Sequence, residues 1–545
     1  MRCDKKITRL KLLLLTLFTI SSIFVNRFHF EMITSLVEVY AIFFLAQLFS
    51  KKLKTLAYVL SSIAFFLVLL NVASFITAGS YITYTMYNNL TNLSALGDSL
   101  PKYFIATILA AIVSFLPMSF NLFEKKTIKK VCVFYGVDLV YIIIFIVFNI
   151  STPIGSLINL KHEIKIADEK VSFLKASSSE KKEILNDFKK ENVVSGVEVN
   201  IDNMNVIVIF TEGMSSQVLD INNNLNLNLT PNLTNFSKES GVLNVQNYYN
   251  HTAATFKGLR GQLYSAYQYQ DGYEKGDDGG LYSMTNTPLV SLSDVLRDNG
   301  YVSNFINAEP EHIAFSNYLT TLGFDKVVTG KKKELVQAGN DRVLPDQNNY
   351  DLLFEKTKEL SETDTSFFLS TYTFGTHVKL NGIRKYNDGK VEIYNRFHTM
   401  DEAFGSFWKK FKLSPMYDNT IVVFTTDHST YPDPDYLKYF NEKYNPFLNK
   451  IPLLFYYPGN TQTVLNADGK NSLSLIPTIL DILGFEEATN YFLGNSLFTG
   501  ATTPYQYISE FGSDFYTTKN NEIEGVDNQK LIDEIMRFNK ISLNN

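Results

Sequence analysis

With 545 residues the chain is too long for one compact core and has room for two or three units. The net charge of −5 is mild, and the absence of any long basic run excludes nucleic acid as an expected partner. Cys3 and Cys132 are the only cysteines, so everything after residue 132 is without disulfides or a cysteine zinc site.

Apolar stretches cover about 12–26, 32–50, 55–77, 103–122 and 131–150. Each approaches the ~20 residues a helix needs to cross ~30 Å of hydrocarbon. The first is the shortest, and its basic flank resembles that of a signal peptide. No small-residue cleavage site follows, and four more stretches do, so a retained helix is expected. Arg2, Lys5, Lys6, Arg9 and Lys11 precede the first stretch. Lys51, Lys52 and Lys54 separate the second from the third, and Lys125, Lys126, Lys129 and Lys130 the fourth from the fifth. The alternate loops carry little more than Arg27 and Lys102. The positive-inside rule then places the amino terminus in the cytoplasm and everything beyond residue 150 outside. Residues 1–150 are therefore expected to form a five-helix transmembrane domain of the cytoplasmic membrane. A plain anchor is its simplest role. The polar, aromatic loop from Gly79 to Lys102 is a candidate for lying at the outer surface and shaping a lipid head-group site.

Residues 151–200 read as a linker, in which "KHEIKIADEKVSFLKASSSEKKEILNDFKKEN" has the pattern of amphipathic helices. Beyond residue 200, "NVIVIF", "YVSNFIN", "SFFLSTYTF", "NTIVVFTTD" and "IPLLFYY" are near-continuous apolar or β-branched runs. Helical patterns such as "TPLVSLSDVLRDNG" and "NRFHTMDEAFGSFWKKFK" lie between them. Buried strands alternating with helices predict, for residues 201–545, an α/β domain with a mostly parallel central sheet and helices on both faces.

In such sheets functional groups gather beyond the carboxyl ends of the strands. Glu212 follows one strand directly, and Asp427 and His428 follow another. Two carboxylates and an imidazole are the hard and borderline ligands that suit one divalent ion. Glu212 alone would serve equally well as a helix cap. "NYYNHTAATFKGLRGQLYS" places hydroxyls before a helix-like run, where a threonine at the helix's amino end suits an incoming phosphate and nucleophilic attack. Thr255 and Thr252 both stand there, and Lys257 and Arg260 add positive charge for phosphate oxygens. His251 and His312 are expected to be solvated or structural, and His398 a plain helix residue.

In this order the landmarks "NVIVIFTEGMS", "TPNLTNFSKESG", "DVLRDNGY", "LGFD", "TTDH", "IPLLFYYPG", "SLIPTILDILG" and "FLGNSLF" resemble the sulfatase-like branch of the alkaline phosphatase superfamily. Within it the chain is similar to the five-helix membrane phosphotransferases that include lipoteichoic acid synthase. The resemblance implies Glu212, Asp427 and His428 as metal ligands, with Thr255 as nucleophile and a further ligand. It implies His377 as a catalytic and substrate-contacting histidine, and one divalent metal, manganese, with magnesium or zinc as alternatives. The implied reaction transfers a phosphoglycerol-type group from a membrane phospholipid to a surface glycan, glycolipid or growing polymer through a phospho-threonine.

Three departures qualify the match. True sulfatases carry cysteine or serine, then proline and arginine at fixed spacing, whereas "TFKGLR" has no cysteine or proline, which argues against sulfate-ester hydrolysis. The outer domain lacks the disulfides and the histidine soon after the Asp-His pair that are usual in phosphoethanolamine transferases. "EHIAFSNYLTTLGFD" lacks the tryptophan and arginine with which lipoteichoic acid synthases read phosphoglycerol. The alternatives are a phosphoethanolamine transferase acting on a surface glycan or lipid, and a non-catalytic lipid-sensing membrane protein that kept the fold.

Overall fold

A computed structural model describes residues 5–22, 30–49, 53–83, 86–87, 100–120, 152–173, 176–191, 195, 204–268, 287–338, 341–377, 380–485, 489–512 and 514–542. The chain divides into two compact units, one built from residues 1–167 and the other from most of the rest.

The amino-terminal unit contains α1 (Lys5–Ile20), α2 (Phe30–Phe49), α3 (Lys54–Ala78) and α4 (Leu100–Ser114). α3 buries Phe65, Val68, Leu69 and Val72 while leaving Leu56, Leu60, Ile63 and Leu67 exposed, so it is apolar all round. Such a helix needs an apolar surrounding on both sides. Among the described residues α3 alone is long and apolar enough to cross a membrane, and α2 and α4 contain shorter apolar stretches. The fifth expected span, 131–150, and most of the Gly79–Lys102 loop lie outside the described residues. Lys11 is buried, and its ammonium donates to the carbonyls of Ser114 and Leu116 at 2.7 and 2.9 Å, at the carboxyl end of α4. A cation there satisfies carbonyls that the helix leaves without partners.

The expected linker helices are α5 (Pro153–Phe173) and α6 (Ser178–Phe188). Ser177 caps α6 by accepting from the Glu180 amide. Lys190–Glu191 then pairs antiparallel with Thr489–Asn490.

The central sheet of the second unit has eight strands among the described residues. In chain order they are β1 (Asn205–Thr211), β2 (Val242–Gln246), β3 (Val302–Asn307), β4 (Lys326–Thr329), β5 (Phe367–Thr373), β6 (Thr420–Thr426), β7 (Leu454–Tyr456) and β8 (Val464–Asn466). Their order across the sheet is β8-β2-β7-β6-β1-β5-β3-β4. From β6 to β4 every neighbouring pair is parallel. β7 runs antiparallel to both β6 and β2, which corrects the expectation that "IPLLFYY" continues the parallel run. The chain leaves β6 at its carboxyl end and re-enters the sheet from that same end, without the crossover that a parallel partner requires.

Alternation along the central strands divides the core into two layers. Val206, Val208, Phe210, Ile421 and Val423 face α8 (Thr255–Tyr264), α9 (Leu292–Asp298), α10 (Ile313–Leu319), α13 (Leu475–Ile482) and α14 (Gln529–Ser542). Ile207, Ile209, Val422 and Phe424 face α7 (Pro231–Phe236), α11 (Asp346–Ser361) and α12 (Glu392–Lys412). Trp408 belongs to the second layer, its ring 4.5 Å from that of Phe236 and its N–H donated to Glu239. The sheet thus has helices on both faces, as expected, but is mixed in its strand directions.

Candidate active site

Register sets the site. Thr211 of β1 lies level with Thr373 of β5 on one side and Thr426 of β6 on the other. The next residues, Phe374, Glu212 and Asp427, therefore leave the sheet side by side. Three bonds hold these exits together: Glu212 N–H to the Thr373 carbonyl at 3.1 Å, Asp427 N–H to the Thr211 carbonyl at 3.3 Å and Met214 N–H to the His428 carbonyl at 3.0 Å. Gly213 has φ +44°, and a β-carbon there would approach His428 Cε1 to 3.2 Å. A glycine after Glu212 lets the chain turn tightly against the histidine, which explains the break in "IFTEGMSS".

Glu212, Asp427 and His428 are all buried and present ligand atoms within 4.8 Å of one another. His428 Nε2 lies 3.5 Å from Glu212 Oε1 and 3.3 Å from Asp427 Oδ2. Its Nδ1 is 2.7 Å from the Ser429 carbonyl, which can only accept, so Nδ1 carries the proton and Nε2 is left as a lone pair. Asp427 Oδ1 accepts from the amides of Gly213 and His428, both at 2.8 Å, while Oδ2 has no hydrogen-bond donor among the described residues. Ligand atoms of three buried side chains converge here, an arrangement that a cation stabilises and that burial otherwise penalises. The donor set of two carboxylates and an imidazole fits one divalent metal. Burial, and then the neighbouring Asp427 carboxylate, push Glu212 well above the usual carboxylate range. A bound cation reverses that balance.

Thr255 is the first residue of α8, and its hydroxyl donates to Glu212 Oε2 at 3.1 Å. The Tyr372 hydroxyl donates to the same oxygen, and the Thr376 hydroxyl to the Glu212 carbonyl. Ala254, just before Thr255, has φ 74° and ψ 145°, a conformation left almost entirely to glycine. Backbone strain is thus concentrated at the residue that aims Thr255. Two glycines let α8 press on its surroundings: a β-carbon on Gly258 would fall 2.2 Å from the Asp427 carbonyl oxygen, and one on Gly261 1.9 Å from His251 Nε2. Gln262 fastens the same contact by donating to the carbonyls of Thr426 and Asp427 at 2.8 and 3.1 Å.

The remaining expected residues fall in different places. His377 sits on the turn after β5, its ring stacked on Phe374 at 4.7 Å. Lys257 reaches Glu510 at 3.2 Å. Arg260 turns into the core, where it donates to the Thr321 carbonyl at 3.2 Å and lies over the Tyr264 ring at 4.2 Å. It is only 3% exposed, so the expectation of phosphate contact at Arg260 is not matched by its position. Thr252 pairs through its backbone with Glu510, whereas Thr255 faces Glu212. His251 is fully buried behind α8, with Nδ1 2.6 Å from the Ser472 hydroxyl, and burial pushes it down to about 3. Tyr372, Thr376 and Gln262 were not legible as site residues. The only trace of Tyr372 and Thr376 is a run of hydroxyl-bearing residues in "STYTFGT", and glycines three apart in "KGLRG" mark the close approach of α8.

Fold and site together define an alkaline phosphatase-like domain with three buried side chains that could hold a metal ion and a threonine at a helix terminus. Residues 204–485 match the Sulfatase family model, and the chain belongs to the sulfatase family. Phosphoglycerol transferase I of Escherichia coli is 28% identical over 226 residues, which are 39% of this chain and 28% of the relative. The chain thus aligns with just over a quarter of the length of that relative. A lipoteichoic acid synthase from Listeria monocytogenes shares the fold at TM-score 0.51 and 16% identity, over 66% of this chain and 96% of its own. A protein of the alkaline phosphatase superfamily from Vibrio parahaemolyticus does so at TM-score 0.51 and 16% identity, over 67% and 94%.

Proposed function

We propose that the protein is a membrane-anchored phosphotransferase. It moves a phosphoglycerol-type group from a membrane phospholipid to a hydroxyl of a surface glycan, glycolipid or growing polymer. The observation that carries this reading is the placement of Thr255 Oγ, 3.1 Å from Glu212 at the amino end of α8, beside the converging Asp427 and His428. Similarity to phosphoglycerol transferase I supports the choice of group.

Glu212, Asp427 and His428 would hold the metal, with Thr255 beside them, and manganese is the expected ion. When bound it supplies charge stabilisation for phosphate oxygens and lowers the hydroxyl pKa of a neighbouring alcohol. Thr255 Oγ attacks phosphorus, and Glu212 Oε2 is positioned to accept its hydrogen. The new Oγ–P bond replaces the bond to the diacylglycerol oxygen, which leaves and takes up a proton. The acceptor hydroxyl then attacks the same phosphorus and loses its proton, restoring the free threonine. His377, on the turn beside the Glu212 exit, is the residue we assign to assist that oxygen. Lys257 adds positive charge near the start of α8.

Residues 1–150 serve in this reading as a multi-pass anchor with its amino terminus in the cytoplasm, joined by residues 151–200 to an outer catalytic domain of residues 201–545. The all-round apolar surface of α3 supports the anchor. The test is incubation of the purified full chain with manganese and either phosphatidylglycerol or phosphatidylethanolamine, read by the mass of the peptide containing Thr252 and Thr255. A phosphoglycerol adduct on Thr255, absent in Thr255→Ala, is expected. A phosphoethanolamine adduct would replace the donor, and no adduct in manganese-bound protein would overturn the reading.

A further inference from the structure

We infer that Asp346 is a positioning residue that holds the Phe374–His377 turn against the metal-ligand exit. This rests on the role assigned to His377 above. Asp346 opens α11 and is 2% exposed, yet its carboxylate does not point to solvent. Its Oδ1 accepts from the Gly375 amide at 2.8 Å, while Oδ2 is buried without a hydrogen-bond partner among the described residues. Gly375 packs so closely that a β-carbon there would sit 2.1–2.6 Å from the carboxyl atoms. The grip is therefore both polar and steric, and only a glycine admits it.

The turn so gripped has two outputs. The Thr376 hydroxyl donates to the Glu212 carbonyl, and the His377 ring stacks on Phe374 at an interplanar angle of 9°. The His377 amide closes the turn on the Phe374 carbonyl at 3.0 Å. One carboxylate outside the ligand set thus orients the imidazole through Phe374 and braces the main chain of a ligand through Thr376. A buried carboxylate with an amide donor costs desolvation free energy that a capped, exposed one does not. In the same strand layer Asn349 of α11 ties the helix to β5, donating to the Tyr372 carbonyl at 2.8 Å and accepting from Thr371. Helix and strand are thereby locked together, so displacement of the carboxylate has only the turn to move.

The experiment compares the full chain with Asp346→Asn and, as a second variant, Gly375→Ala, which disturbs the grip from the turn's side. Amide exchange of the peptide spanning residues 374–377 should quicken at least tenfold in both, with peptides from β1 and β6 unchanged. This readout stands whether or not phosphoglycerol is the donor. Unchanged exchange in the turn, or equal acceleration in β1, would overturn the inference. In the transfer assay each variant should lower kcat about 10²-fold with little change in KM, the scale of a ~1 Å misplacement. Added to His377→Ala, Asp346→Asn should cost less than threefold more. A fully additive loss would show that Asp346 acts by a route other than His377 and would sink the assignment.

Discussion

Gly258 offers the sharpest test of how α8 serves the site. Replacing it with alanine puts a β-carbon 2.2 Å from the Asp427 carbonyl oxygen, 2.8 Å from its carbonyl carbon and 3.5 Å from its Cα. Comfortable non-bonded contact lies near ~3.5 Å, so helix and loop must part by about 1 Å. Sliding offers no escape, because Gln262 is bonded to the carbonyls of Thr426 and Asp427 on the same surface. Overpacking of this kind costs about 1–3 kcal/mol of stability. Thr255 stands one helical turn before Gly258, so the same movement carries its hydroxyl away from Glu212, and a ~1 Å error at a nucleophile costs about 10²-fold in rate. The assays are thermal unfolding of the full chain in detergent and the rate of adduct formation on Thr255. Gly500→Ala serves as the control, since a β-carbon there meets nothing within 4 Å. A Gly258→Ala protein that forms the adduct at the normal rate would refute the view that close packing of α8 on the Asp427 loop sets the nucleophile.

Two further outcomes follow from the same geometry. Tyr372→Phe removes a hydroxyl donated to Glu212 Oε2 without emptying the core, and hydrogen bonds to charged acceptors contribute about 1.5–3 kcal/mol. Manganese affinity, measured by calorimetric titration, should fall by about tenfold or more, and unchanged affinity would remove Tyr372 from the support of that carboxylate. His251 is held at about 3 in the folded chain against an ordinary value of 6.5. Its folded value is depressed, so the unfolded chain binds the proton more readily. The contribution is present above pH 6.5 and is lost as pH falls through that value toward 3, amounting to about 5 kcal/mol over the window. Asp346, raised to about 6, and Asp401, raised to about 7, have the opposite sign, so wild type is to be compared with His251→Asn rather than read alone. The variant should unfold less steeply with acid, and parallel curves would contradict the buried neutral histidine.

What the sequence by itself determined is local and chemical. Runs such as "NVIVIFTEG" and "TIVVFTTDH" carry their strand character in β-branched composition and their site character in the residues that end them. Glu212, Asp427 and His428 were therefore legible as candidate ligands before any coordinates, while Thr255 stood beside Thr252 and was singled out by family resemblance. A helix was legible in the pattern of "TPLVSLSDVLRDNG", and the structure forms it over Leu292–Asp298, opened by a Ser291–Asp294 capping box. Other features depend on partners far along the chain, which pattern cannot show. The antiparallel entry of Leu454–Tyr456 depends on which end of the sheet the chain re-enters. The inward turn of Arg260 depends on a carbonyl at Thr321, and the bracing of Glu212 on a tyrosine more than a hundred residues away. Asp346 reads as an ordinary first-turn helix acid until Gly375 is seen lying against it. Residue type sets which groups can bind a metal or attack phosphorus. Only tertiary packing decides which lone pairs end within reach of one another, because that distance is set by register and close approach between strands and helices distant in the chain.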